Sequence, residues 1–177
     1  GVQTCALPIS FRQEIAYGWR YLQARPGLLG LMTFFAFRNL LIGFVSVLMT
    51  PLALSLTSAD MLGKMLSISG AGMLVGSLAT GVWGSKQKGR YISMLFGFTA
   101  LAALCIILAG LRPSIVLLTM ASFGFFFSWP IINVASQVIF QQKVASNVQG
   151  RVFSLRGAIA TATLPLAYMI AGPLADS

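Results

Sequence analysis

From Tyr91 to Leu111 the chain carries no charged side chain. A helix of that length rises about 1.5 Å per residue and crosses about 30 Å of hydrocarbon. Four more stretches read the same way, at residues 28–54, 61–84, 114–140 and 152–174. Short connections separate them, and basic residues gather in those at 85–90 and 141–151. A backbone inside a bilayer must satisfy its own N–H and C=O groups, which a helix does within each stretch. The expected fold is an all-α polytopic membrane protein with five transmembrane helices.

Composition supports this reading. Hydrophobic residues make up 57% of the chain and charged residues 8%, where soluble domains average about 45–50% and about 25%. The net charge of +9 sits in clusters between apolar spans. A nucleic-acid-binding face would spread it along one surface with aromatics interleaved, so no nucleic-acid partner is expected. With no histidine and only Cys5 and Cys105, the chain has no zinc site, no Ser-His-Asp triad and no Cys-His dyad. No metal and no cofactor are expected, and an enzyme is disfavoured because no nucleophile, base or metal cluster falls at a membrane surface. Cys105 reads as a small buried apolar residue.

Small residues organise the second span. Ser69, Gly72, Gly76, Ala79 and Thr80 share one helix face, and Gly70, Ser77, Gly81 and Gly84 form another, with Val75, Leu78 and Val82 between them. In water each such glycine would cost roughly 1 kcal/mol against alanine. In a bilayer small residues let neighbouring helices approach closely, so two close neighbours are expected. The helix runs into Lys86, Lys88 and Arg90, a tight basic loop of the sort found at a cytoplasmic membrane edge.

The remaining segments follow in order. Residues 1–9 fit no element and read as a fragment or sequencing scar. Residues 10–26 hold a short amphipathic helix and linker, with Ser10 and Gln13 at capping-box spacing and Phe11, Ile15, Trp19 and Leu22 on one stripe. It is either an interfacial helix or a simple connector. Residues 27–177 form the transmembrane bundle. Residues 55–60 are expected as the outer loop after the first span, and Arg112-Pro113 as a tight turn between the third and fourth spans. The third span is expected to be the most lipid-exposed.

Four large polar residues stand inside the first and fourth spans. Arg38 and Asn39 lie near the middle of the first, where an arginine costs at least about 2.5 kcal/mol. Asn133 follows Pro130 in the fourth, and Gln137 is one turn further on. Such groups face a polar cavity or bond a neighbouring helix. Arg38 is open to both a substrate role and a structural pairing. Pro130 and Pro165 interrupt their spans and are expected to shape the packing. Arg12, Arg20, Arg25, Lys86, Lys88, Arg90, Lys143, Arg151 and Arg156 fall on one side of the five crossings, and only Lys64 and Arg112 on the other. The positive-inside rule then places the amino end in the cytoplasm.

Taken in order, several phrases resemble the major facilitator superfamily, in particular its bacterial drug and siderophore exporters of the macrolide-efflux and enterobactin-exporter types. They are Gly18-Trp-Arg-Tyr-Leu22 with Pro26, Asn39, Pro51-Leu52, the glycine-rich span from Gly81 into the loop ending at Arg90, Pro130 with Asn133, Gln149-Gly-Arg-Val-Phe-Ser154, Leu164-Pro-Leu-Ala-Tyr168 and Gly172-Pro-Leu-Ala-Asp176. Ser85 stands where that family's loop motif usually has an acid. The resemblance implies the carboxyl-terminal half of a secondary active transporter in the bacterial inner membrane, with five helices of a six-helix half-bundle and the last span missing. It implies export of a drug-like or siderophore-like small molecule by proton antiport and alternating access. The partners would be the lipid bilayer, the substrate and the missing amino-terminal six-helix bundle, against which Gly72 and Gly76 would partly pack. Arg38, Asn39 and Asn133 would line the cavity. Gly72, Gly76, Thr80, Gly81, Pro130 and Pro165 would serve helix packing and gating, and Gly84, Lys86, Lys88, Arg90 and Arg151 the cytoplasmic loop motif. A non-transporting membrane scaffold or regulatory fragment is the alternative.

Overall fold

A computed structural model describes residues 11–84 and 89–175. Six α-helices account for nearly all of them: α1 (Phe11–Gln23), α2 (Pro26–Leu56), α3 (Ala59–Gly84), α4 (Tyr91–Leu111), α5 (Ile115–Lys143) and α6 (Gln149–Ala175). One 3-10 turn, Ser146–Val148, precedes α6, and no strand occurs among the described residues. Helices α2 to α6 are each long and apolar enough to cross a bilayer. The chain is an all-α, multi-pass membrane protein.

The connections are shorter than the sequence suggests. Asp60, expected in the outer loop, lies in the first turn of α3. There its charge complements the exposed N–H groups of the helix start, and it pairs with Lys64 at 2.8 Å. Both side chains are largely in solvent, so this pair adds little stability. At the other end of the chain, α5 runs on to Lys143 and α6 starts at Gln149, which shortens the expected loop at 141–151. Between α4 and α5, Arg112 is extended at φ −145° and ψ 138°, as the following Pro113 requires. Gly89 has φ +89°. A side chain there would be strained, so glycine holds the approach to α4.

The contacts divide the chain into two compact units. One takes in residues 1–48 and 141–177, and the other residues 49–140. In the first, Leu28, Met32 and Phe35 form the buried stripe of α2, while Leu22, Val144, Val148, Val152 and Leu155 are buried on α1, α6 and the segment before α6. Helix α1 packs on α6. Gly18 lies against the Arg151 carbonyl and Leu155, and the Tyr21 hydroxyl accepts a hydrogen bond from the Ala145 N–H at 3.1 Å. The stripe expected through Trp19 is therefore rotated. Gly18 and Leu22 face α6, and Trp19 is 43% exposed. A glycine admits the close approach that an indole would block. Ser10, of the expected capping box, lies outside the described residues, as do residues 1–9.

In the second unit, Ala53, Met65 and Leu118 are buried together, with Met49, Leu56, Leu62, Ala109 and Ile115 around them. Among the five bilayer-length helices, α5 has the largest buried share in its most apolar stretch. Large apolar side chains of α3 and α4 point outward instead, among them Leu74, Leu78, Val82, Ile107 and Leu111. In lipid such exposure carries no hydrophobic penalty. In the most apolar stretch of α4, 11% of residues are buried, the same share as in α2. The third span is thus not singled out as the most exposed.

Candidate functional site

Two places in the described structure gather the residues singled out by sequence. In the unit formed by residues 49–140, the first small face of α3 meets α5. A Cβ added at Gly72 would lie 2.6 Å from the Phe123 carbonyl oxygen and 3.1 Å from the Phe123 ring. One added at Gly76 would strike the Phe127 carbonyl oxygen and approach Pro130 Cγ at 2.9 Å. Both glycines are required by this crossing. The neighbour that these two glycines meet is α5 of this same chain. Ser69 and Thr80, on the same face, donate to their own helix at Met65 O (2.8 Å) and Gly76 O (2.7 Å). Hydroxyls bonded this way leave no unpaired donor in an apolar crossing.

The second small face has no such neighbour. A Cβ at Gly70 or Gly81 would meet nothing within 4 Å, and both are exposed, as is Ser77. Of the two close neighbours expected for α3, one is present among the described residues. Helix α5 does have a second tight contact, which the sequence reading missed. A Cβ at Gly124 would lie 2.6 Å from Cys105 Sγ, and Cys105 is buried. Gly124 stands inside an aromatic run, Phe123 to Trp129, that hides the signal. Phe98 and Phe127 pack with ring centroids 6.2 Å apart.

Asn133 is half-buried. Its Nδ2 donates to Trp129 O of its own helix at 2.8 Å, so its amide is turned along α5. Gln137 is exposed. Pro130 supplies part of the wall against Gly76, while α6 remains helical through Pro165, whose side chain is exposed.

In the unit formed by residues 1–48 and 141–177, the polar residues are charged. Phe35 and Arg38 are one turn apart on α2, and both are buried, at 5% and 8% exposure. Arg38 Cζ lies 5.6 Å from the centre of the Phe35 ring. Arg156, from α6, brings its Cζ to 4.3 Å from that ring and is half-buried. Sequence reading placed Arg38 here and set Arg156 near a membrane edge. A long side chain bridges that difference. Asn39 is half-buried beside Arg38 in the chain.

The same unit holds the second part of the loop motif. Arg151 Cζ lies 5.0 Å from the Tyr17 ring, and Arg25 is 4.0 Å from the Tyr21 ring. Gln149, which the sequence reading quoted without a role, donates its Nε2 to Gln141 O at 2.9 Å and Val144 O at 3.1 Å. Those carbonyls lie in the last turn of α5 and just after it, where no intrahelical donor remains. In the first part of the motif, Arg90 is exposed at the start of α4. Gly84 ends α3, and Lys86 and Lys88 lie outside the described residues.

The chain is 26% identical to macrolide efflux protein A of Streptococcus pyogenes over 99% of its own length and 44% of that protein. It is 26% identical to macrolide efflux protein A of Enterococcus faecalis, over 94% of the chain and 52% of the relative. It is 31% identical to the multidrug efflux pump Tap of Mycolicibacterium fortuitum, over 66% of the chain and 28% of the pump. The homologues of this chain are bacterial drug exporters of the major facilitator type. The chain spans about half the length, or less, of the relatives it matches. No protein-family model matches it, and no solved structure does so significantly.

Proposed function

We propose that this chain forms the carboxyl-terminal half of a secondary active exporter, which moves a drug-like or siderophore-like small molecule out across the bacterial inner membrane by alternating access and proton antiport. The observation that carries this reading is the match to efflux proteins along 99% of the chain, by a chain with five bilayer-length helices. On this reading the protein is a transporter and not an enzyme, and its partners are the bilayer, the amino-terminal six-helix bundle and the substrate. Arg38 and Asn39 serve the substrate cavity. For Asn133 the reading leaves its side-chain oxygen and one N–H to the cavity, because the other N–H donates along α5. The loop residues Gly84, Lys86, Lys88, Arg90 and Arg151 lie at the cytoplasmic edge, where basic side chains are retained.

The test is accumulation of a labelled macrolide and of a fluorescent dye in an efflux-deficient bacterium expressing the full-length gene. Accumulation is expected to fall, and a protonophore to restore it. Unchanged accumulation with the protein present in the membrane overturns the reading. Topology is checked in the same cells after removal of native cysteines. Single cysteines at positions 58 and 112 are expected to label from outside, and those at 87 and 146 are not. Labelling at 87 reverses the orientation.

A further inference from the structure

We infer that the first half of α4 holds an anionic phospholipid, with the headgroup at Arg90 and one acyl chain running past Gly97 to Leu101. The inference needs no transport and stands apart from the exporter reading above. It starts from a groove of about 370 Å³ lined by Arg90, Ser93, Met94, Gly97, Phe98 and Leu101. These residues recur at steps of three and four, so they share one face of α4. Along that face a cation and a hydroxyl give way to apolar side chains. From Arg90 to Leu101 the chain rises about 16 Å, roughly half of the ~30 Å hydrocarbon core. A groove that is polar at the membrane edge and apolar for the depth of one leaflet matches the length and polarity of a lipid.

Gly97 is the floor of the groove. A Cβ there would meet nothing within 4 Å, so no helix packed among the described residues requires this glycine. Its effect is to deepen the face between Met94 and Leu101. One wall is fixed from behind, because the Phe98 ring packs on Phe127 of α5 with centroids 6.2 Å apart. At the edge, Arg90 is exposed. Between Asp60 and Asp176 the sequence has no acidic residue. Asp60 stands at the far end of α3 from Arg90 and pairs with Lys64. No side chain caps the start of α4, and its first turn holds no acid, so the helix dipole adds positive potential in the same place. A guanidinium donates paired hydrogen bonds to a phosphate. A headgroup with its own cation brings a competing positive charge to that edge, so a net anionic headgroup is the better complement.

The experiment is native mass spectrometry of the purified full-length protein in detergent. It is titrated with dioleoylphosphatidylglycerol and separately with dioleoylphosphatidylcholine, which share their chains and phosphate and differ in the added cation of the second. The first phosphatidylglycerol is expected to bind about fivefold more tightly than phosphatidylcholine, the contribution of one basic residue at a lipid surface. Arg90→Gln should make the two lipids equal. Gly97→Leu fills the groove and should remove the tighter phosphatidylglycerol site. Gly110→Leu, on the same helix outside the groove and equally open, should leave that site intact. Glycerol phosphate, with the charge and no chain, should not displace the bound lipid at equal concentration. The inference is overturned if the wild type binds both lipids alike, or if the preference survives Arg90→Gln or Gly97→Leu. Loss of the site with Gly110→Leu, or displacement by glycerol phosphate, overturns it as well. If another helix of the whole protein fills the groove instead, Gly97→Leu lowers the melting temperature and the wild type shows no lipid preference, and the inference fails.

Discussion

The crossing of α3 with α5 and the ring shared by Arg38 and Arg156 both depend on close approach, and they depend on it for opposite reasons. At Gly72 and Gly76 the approach is a matter of volume, since backbone carbonyls of Phe123 and Phe127 fill the space where a side chain would start. At Phe35 the approach is a matter of charge, since guanidiniums from two helices lie 5.6 and 4.3 Å from the centre of one ring. The first kind of contact stabilises the fold in any solvent state. The second gathers like charges, whose mutual cost depends on what surrounds them. Conservative-looking changes therefore have different consequences in the two regions.

The largest effect is expected at the crossing. Gly76→Leu forces α3 away from α5 and costs more than about 3 kcal/mol, beyond ordinary overpacking. The variant should be lost from the membrane fraction or aggregate on size exclusion. By contrast, Gly81→Leu has open space around it and should accumulate and melt like the wild type. If Gly81→Leu is stable and yet abolishes export, its face serves a neighbour outside this chain. If Gly76→Leu folds normally, the tight crossing is wrong.

A smaller effect tests whether volume alone governs the second unit. Gly124→Ala places a methyl group against Cys105 Sγ and should cost about 1–3 kcal/mol. Removing that sulfur in the double variant Gly124→Ala with Cys105→Ala should restore much of the loss. A double variant no better than the sum of the singles would show that the two positions do not share this contact.

At the charged unit the expected effects are smaller still, because its helix ends and surface contacts are polar. Gln149→Ala removes two donors from the carbonyls that end α5 and should cost about 1–2 kcal/mol. Gln149→Glu, an acceptor without donors at neutral pH, should lose at least as much, and a melting curve matching the wild type would remove the capping role. The smallest change belongs to Gly18. Its nearest neighbour to an added Cβ is the Arg151 carbonyl at 3.6 Å, an ordinary contact distance. Gly18→Ala should shift stability by about 0.5 kcal/mol or less. A large loss there would mean that α1 sits closer to α6 than this geometry has it.

Glycine content alone predicted none of this ranking. Gly18, Gly72, Gly76, Gly81 and Gly124 look alike in sequence, and only the identity of the nearest atom separates an obligatory glycine from a tolerant one. Phe123, Phe127 and Pro130 become neighbours of α3 through the folding of α5, some fifty residues away along the chain. The rotation of α1 has the same origin: a hydrophobic stripe through Trp19 is the reasonable expectation for an isolated amphipathic helix, and contact with α6 selects the Gly18 and Leu22 face instead.

By itself the sequence determined that the chain is helical and membrane-embedded, and roughly where each helix lies. Those properties follow from local causes: long uncharged runs, the need to satisfy backbone groups within each run, and prolines and basic clusters at the breaks. It also located the buried arginine of α2, because a charge in an apolar run is visible without any fold. Tertiary structure decided which small residues are packed and which are open. It also brought Arg156 to the Phe35 ring and gave Gln149 its partners. These depend on distances between residues far apart in the chain, and no local pattern encodes them.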